Sequence, residues 1–374
     1  MTRERVRVLC VIGSLMVGGA ETFLARVAPE VQKHGIEIEI CALDPTGPRL
    51  AELESAGIRV HGTPYPERTT HSNTLTLLRT VAHIRRLVRA GRFDVVHTHL
   101  FWADVLGVPG AKLAGCPRII VSRVALHAWA HSKSRLFHAL EQASNAMADE
   151  AIVNSQAVLR DVVAHERQFP RVRTVIHYGI DVDSYPASTL RHEGPLRLIT
   201  VGALAPRKGQ EYAIEAIRQL SSAGVDVELT LLGSGPDEAK LRRIATTGVL
   251  GRVKFAGQHE DARPFLSSAD VLVMPSRQEG FSLAILEGMA AALPVVATDV
   301  GGNAEAIVDG EGGFIVEPAN PEALATAIKA LVDDPSLRAS MGRFNRMRAQ
   351  EKFSLEASAR DLASWYRSPD GHGV

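Results

Sequence analysis

Apolar residues recur along this chain in short unbroken runs, separated by stretches with a helical repeat. Residues 6–12, 36–43, 94–99, 119–121 and 151–153 read as strands in the first half. The shortest runs lack alternation, as expected of strands buried on both faces of a parallel sheet. Residues 21–33, between the first two strands, carry the spacing of an amphipathic helix. The second half repeats the scheme, with strands predicted at 196–201, 227–232, 253–255, 271–274, 294–298 and 313–316, and helices at 211–223, 237–245 and 321–331. Alternation of this kind predicts a parallel sheet with helices on both faces in each half. Residues 177–195 are rich in Gly, Asp, Ser and Pro without sustained periodicity, and mark a linker. The expected fold class is therefore α/β, with two doubly wound Rossmann-like domains, 1–180 and 190–354, facing a central cleft. A final helix within 355–374 is long enough to cross back to the first domain. In such sheets ligands bind beyond the carboxyl ends of the strands.

Composition narrows the function little. A chain of 374 residues is long enough for two hydrophobic cores. The 42 basic residues balance 42 acidic ones, so bulk charge does not point to nucleic acid. Three cysteines, Cys10, Cys41 and Cys116, lack metal-ligand spacing and suit a reducing cytoplasm; Cys10 and Cys41, in strands, read as small hydrophobes. Basic residues up to Arg7 followed by the apolar 8–20 resemble a secretion signal. That run is broken by glycine and followed at once by Glu21, so a first strand is expected instead. No run reaches the ~18 apolar residues of a membrane span.

The most informative stretch is 275–287, where Glu279 and Glu287 are separated by seven residues. It follows the apolar run 271–274. Ser282 stands where a helix cap is expected, with Gly280, Phe281 and Leu283 around it. A helix N-terminus reached from a strand offers backbone N–H groups to a phosphate. Two carboxylates there would repel the phosphate and suit hydroxyls of a ribose and a sugar. Gly202 to Gly209 sits between a strand and a helix, and Arg207 and Lys208 in it supply charge for a diphosphate. Gly18 and Gly19 lie between the first strand and helix and permit close approach of a ligand. Gly301, Gly302 and Glu305 follow another strand and suit a sugar or a simple turn. Gly13 to Gly18 has the glycine spacing of a P-loop without its Lys-Ser/Thr, and no GxGxxG follows the first strand. His97, His99 and His127 fall at strand ends, where a structural role is the commoner one. The segment 75–89 combines an apolar stripe, Leu78, Val81, Ile84 and Val88, with Arg79, Arg85, Arg86 and Arg89. It reads as a solvated basic face or, more sharply, as a peripheral contact with a membrane.

In this order, the motifs Gly18-Gly19-Ala20-Glu21, 94–99, 177–181, 201–209, 279–287 and Gly301-Gly302 resemble those of a retaining glycosyltransferase of family 4, which has the GT-B fold. The resemblance spans nearly the whole chain. It implies that Glu279 contacts donor-sugar hydroxyls and Glu287 the nucleotide ribose. It also implies that Lys208, with backbone N–H groups near Gly19 and after Gly280, neutralises the leaving diphosphate. His127 matches the family's first-domain histidine near the reacting sugar. No metal or other cofactor is expected beyond the nucleotide-sugar substrate. The family often carries arginine after the glycine at 202, where this chain has Ala203; Arg207 is the nearest substitute. The expected activity is transfer of a sugar from a nucleotide diphosphate, with retention, to a hydroxyl of a glycan, a lipid-linked sugar or a small molecule, as in polysaccharide biosynthesis. The alternatives are a sugar-nucleotide epimerase or hydrolase and a non-catalytic binding partner. The expected location is the cytoplasm, including peripherally at the inner membrane face.

Overall fold

The computed structural model describes residues 5–65, 74–126, 135–166, 168–188, 194–249 and 251–367. The chain divides into two compact units, Met1–Gly179 with Leu355–Val374, and Ile180–Ser354. Unit 1 contains the strands β1 (Val6–Ser14), β2 (Ile36–Asp44), β3 (Arg59–Gly62), β4 (Val95–His99), β5 (Arg118–Arg123), β6 (Glu150–Val153) and β7 (Val172–Val175). Its helices are α1 (Gly19–Lys33), α2 (Pro48–Ser55), α3 (Thr74–Gly91), α4 (Phe101–Ala114), α5 (Arg135–Met147) and α6 (Gln156–His165). Unit 2 contains β8 (Leu196–Val201), β9 (Val227–Leu232), β10 (Val253–Gly257), β11 (Val271–Met274), β12 (Val295–Thr298) and β13 (Gly313–Val316). Its helices are α7 (Gln210–Ser222), α8 (Glu238–Ala245), α9 (Arg263–Ser267), α10 (Leu283–Ala290), α11 (Asn303–Ala306), α12 (Pro321–Asp333) and α13 (Pro335–Lys352). The last helix, α14 (Leu355–Arg367), belongs to unit 1.

Each unit is a doubly wound Rossmann-like layer. The strand orders are β3-β2-β1-β4-β5-β6-β7 and β10-β9-β8-β11-β12-β13, all in parallel pairs. Strand order reverses beside β1 and beside β8, and a crevice opens at the carboxyl ends of such a switch point. Val8, Leu9, Cys10, Val11 and Ile12 are all completely buried, which is why β1 shows no alternation. The amino ends of the strands are stapled by aspartates: Asp94 accepts from the Arg7 amide at 2.9 Å, Asp149 from Ile119 at 2.9 Å and Asp270 from Arg197 at 2.8 Å.

The four-residue strands β3 and β7 had no clear apolar signal, because each lies at a sheet edge and is only partly covered. In α3 the residues that reach the core are Thr80, Ile84 and Val88. Leu78, expected in the same stripe, is 62% exposed. Arg79, Arg85, Arg86 and Arg89 are exposed as well. The apolar face of this helix is thus largely spent on packing within unit 1. Helix α14 is held by Arg118, which donates to the Tyr366 carbonyl at 2.7 Å and the Trp365 carbonyl at 3.0 Å.

Unit 1 also buries a charge cluster. The Arg123 guanidinium meets Asp104 at 2.6 Å, Glu166 at 3.3 Å and Glu141 at 3.6 Å. Three carboxyls share one cation. Burial, reinforced by Glu166 and Asp104 and opposed by Arg123, pushes the Glu141 carboxyl up to about 8. A carboxyl that holds its proton more tightly when folded withdraws stability as pH rises from the unfolded to the folded pKa. Urea unfolding should therefore show stability falling by about 1–2 kcal/mol between pH 6.5 and 8. Glu141→Gln should flatten that fall, and an undiminished slope in the variant would exclude Glu141 as its source.

Candidate functional site

In unit 2 the loops after β8 and β11 meet at the switch point. Past β8 the chain makes a single 3₁₀ turn, Pro206–Lys208, capped by Gly209 at φ 62°. The Arg207 carbonyl accepts from the Arg277 amide at 2.8 Å and the Gln278 amide at 3.2 Å, which ties this turn to the 275–280 loop. Across that seam the Lys208 ammonium lies 2.5 Å from Glu279 Oε1. Both side chains are largely removed from water, 13% and 7% exposed, so each charge depends on the other. Ser276 donates to the same Glu279 oxygen at 2.7 Å, and Thr298 donates to the Ser276 carbonyl at 2.5 Å. The third loop closes on this segment through the Gly302 amide, which donates to the Gly280 carbonyl at 2.6 Å. The fold thus brings together Lys208, Glu279, Gly280 and the Gly301-Gly302 turn.

Helix α10 starts directly after this loop. Ser282 occupies its N-cap position with extended backbone, but its side chain makes no capping bond. The expected capping role is corrected: the Ser282 hydroxyl is buried and has no hydrogen-bond partner among the described residues. Phe281 and Leu283 are buried, and Phe281 packs against Phe353 with ring centroids 5.5 Å apart. Glu287, one turn further on, is buried and accepts from the Tyr185 hydroxyl at 2.8 Å. Tyr185 escaped the sequence reading because it lies in a stretch without periodicity, 102 residues from its partner. Ser276 was within the 275–287 stretch, but only the fold shows that it orients Glu279. Ala203 is exposed and its carbonyl accepts from Gln210 at 2.8 Å; Arg207 is half-buried. The Glu305 side chain is half-buried, and its carbonyl accepts from Arg348 at 3.0 Å.

In unit 1, Gly18 is the N-cap of α1 and Gly19 its first residue. A side chain at Gly18 would collide with the Glu21 carboxylate, whose pKa burial raises. His127 lies outside the described residues. His99 is the last residue of β4, as expected, and His97 lies two residues inside it; both are buried. His97 is satisfied on both ring nitrogens, by Tyr366 Oη at 2.7 Å and Ser122 Oγ at 2.7 Å. Cys10, His97 and His99 bring ligand-type atoms within 4.8 Å of one another. Both His97 nitrogens are engaged within the protein, and burial pushes the Cys10 thiol up to about 12.

Residues 195–334 match the family described as glycosyl transferases group 1, and residues 18–179 match the glycosyl transferase 4-like domain. The fold and these matches define a glycosyltransferase, a transferase enzyme of GT-B architecture. The chain belongs to the family 4 glycosyltransferases. Among curated relatives, the D-inositol 3-phosphate glycosyltransferase of Pseudarthrobacter chlorophenolicus is 28% identical, over 96% of this chain and 93% of that protein. The alpha-D-kanosaminyltransferase of Streptomyces kanamyceticus is 36% identical over 46% of this chain and 45% of its own length. Among solved structures, Anabaena HepE in complex with UDP superposes with a TM-score of 0.81 at 23% identity, covering 96% of this chain and 99% of that one.

Gly301 and Gly310 both have positive φ, but only Gly301 is crowded. Gly301 has φ 55°, and a Cβ there would run into the Glu279 carbonyl. Gly310 has φ 78° with open space around it. Gly310→Ala should therefore cost only backbone strain, about 1 kcal/mol. Gly301→Ala should cost roughly 3 kcal/mol through strain and collision together. Chemical denaturation of the two variants compares them directly, and equal losses would mean that the Gly301 turn is not constrained by Glu279.

Proposed function

We propose that the protein transfers a sugar from a nucleotide-diphosphate donor to an acceptor hydroxyl with retention of anomeric configuration. The observation that carries this reading is the Lys208–Glu279 pair at the carboxyl ends of β8 and β11, beside the start of α10. A nearly dry ion pair at a helix N-terminus is a site prepared for a bound anion. A diphosphate competing for Lys208 releases the Glu279 carboxylate to accept hydrogen bonds from sugar hydroxyls. The Ser282 hydroxyl and the first N–H groups of α10 supply further donors. Glu287, held by the Tyr185 hydroxyl, is the carboxylate we assign to a ribose hydroxyl.

Breaking the glycosyl–phosphate bond builds negative charge on the departing phosphate and positive charge on the sugar. Preorganised donors aimed at the phosphate lower that barrier. Lys208, with Arg207 nearby, meets the developing charge without a metal ion, and the exposed Ala203 adds no cation. Glu279 is engaged by Lys208 and Ser276 and is better suited to orienting hydroxyls than to attacking carbon. The retaining route is accordingly a same-face substitution in which the leaving phosphate accepts the acceptor's proton. Relatives named as inositol-phosphate and kanosaminyl transferases support the reaction class. Among the described residues no helix is long and apolar enough to cross a membrane. A lipid-linked acceptor would bring the exposed arginines of α3, with Leu75 and Leu78, to an anionic surface.

Two variants separate the roles. Glu279→Gln should lower turnover by roughly a hundredfold or more while keeping the rise in melting temperature produced by the nucleoside diphosphate. Lys208→Met should reduce both. A panel of UDP, GDP and ADP with and without EDTA identifies the base, since binding to the folded state raises the melting point. Full turnover in Glu279→Gln, or no shift with any nucleotide in the wild type, would refute the proposal.

A further inference from the structure

Unit 2 begins with a short segment whose bonds converge on one helix. After the single 3₁₀ turn Val182–Ser184, the chain is tied to the carboxyl end of α10. The Ser188 amide donates to the Ala291 carbonyl at 2.8 Å, one residue past that helix. One nitrogen of the Arg346 guanidinium, on α13, donates to the Tyr185 carbonyl at 2.8 Å and also to the carbonyl of Ala290, the last residue of α10. A cation at a helix carboxyl end is favoured by the partial negative charge of the free carbonyls there. The segment is thus pinned at Tyr185 and again at Ser188.

The consequence lies about one turn back along the helix. From its pinned backbone Tyr185 extends a buried ring, whose hydroxyl donates to Glu287 Oε1 at 2.8 Å. Glu287 is the only charged residue of α10 and sits among Ile285, Leu286, Gly288 and Met289, all buried. A glutamate side chain turns about three bonds, and presenting its carboxylate at one point costs that freedom. A tyrosine turns about two, and here its backbone is already held by Arg346. Phenylalanine would fill the same apolar space, so packing alone does not call for the hydroxyl.

We propose that Tyr185 is a positioning residue: its hydroxyl, anchored through Arg346, holds the Glu287 carboxylate in the orientation that distinguishes a ribose from a deoxyribose. The role rests on the assignment of Glu287 to a ribose hydroxyl given above. Tyr185 acts through that carboxylate. A carboxylate fixed in one orientation rejects a nucleotide lacking the hydroxyl, because a buried charged acceptor is then left unpaired. Released from Tyr185, the same carboxylate can turn to other donors, and the discrimination falls.

The test is isothermal titration of the full chain with nucleoside diphosphates. UDP, GDP and ADP are compared first, and the tightest is matched against its own 2′-deoxy and 3′-deoxy forms. In the wild type one deoxy form should bind about tenfold more weakly than the ribonucleotide, or weaker still. Tyr185→Phe should shrink that preference by about threefold or more, weakening the ribonucleotide and leaving the deoxy form within about twofold of its wild-type affinity. A merely structural role would weaken both forms alike and leave their ratio unchanged. In a Glu287→Gln background the tyrosine substitution should change the ratio no further, since its effect runs through that carboxylate. Arg346→Met, which frees the Tyr185 backbone, takes the place of Tyr185→Phe if circular dichroism shows the latter unfolded. An unchanged ratio in a folded variant, or no preference for ribose in a wild type that binds the nucleotide, would overturn the positioning role and leave the transferase reading standing. Binding of no nucleotide at all would overturn both.

Discussion

The contact on which unit 2 turns is the ion pair between Lys208 and Glu279. Two opposite charges withdrawn from water are tolerable only when each satisfies the other, and truncating one leaves the other stranded. Holding them 2.5 Å apart requires two loops from different strands to be pinned together. The backbone bonds from Arg277 and Gln278 to the Arg207 carbonyl provide that pin. Gly209 and Gly301, with positive φ, allow backbone to approach where a side chain would collide. Thr298 and Ser276 then set the carboxylate's orientation. An arrangement this constrained keeps the loops around the pair fixed, which is the preorganisation that electrostatic catalysis requires.

Unit 1 uses its buried polar groups differently. Asp104, Glu141 and Glu166 surround Arg123, and His97 bridges β5 to α14 through Ser122 and Tyr366. These groups are mostly satisfied internally, and they fix the packing of helices onto the sheet. His99 Nε2, Asn154 Oδ1, Gln142 Nε2 and Trp365 Nε1 are among the buried atoms left without a partner among the described residues. Satisfied and unsatisfied polar groups thus occur side by side on the sheet face that carries His97 and His99. Periodicity does not distinguish the two.

Strand positions in the two sheet centres were legible because parallel strands covered on both faces must be apolar throughout. Five of the six predicted unit 2 strands agree with the structure to within one residue at each end, β10 extending two residues further. The edge strands β3 and β7 were not legible, since half-covered four-residue segments carry too little apolar signal. Helix α13 was missed for a related reason: few of its positions face a core, and its charged residues obscure the repeat. Within the site, Glu279, Glu287 and Lys208 stood out because their residue types are expensive next to buried strands. Ser276 and Tyr185 did not, because a hydroxyl gains its role only from the partner that folding places beside it. The apolar stripe of α3 was visible, but its rotation was not, and Leu78 turned outward.

The return of α14 to unit 1 also bears on how the protein is made. Residues Ile180–Ser354 form a complete unit inserted into the chain of another. A chain emerging from the ribosome presents the seven strands of unit 1 first, with the ring of His97 still lacking Tyr366 and the Arg118 guanidinium lacking the last carbonyls of α14. The inserted unit is fully synthesised before residue 355 exists. Biosynthesis therefore completes the second unit ahead of the first, and a nascent unit 1 waits with one flank of its sheet bare. Loss of the last turn of α14 alone would leave His97 and Arg118 without these partners, on a domain whose own strands are all intact.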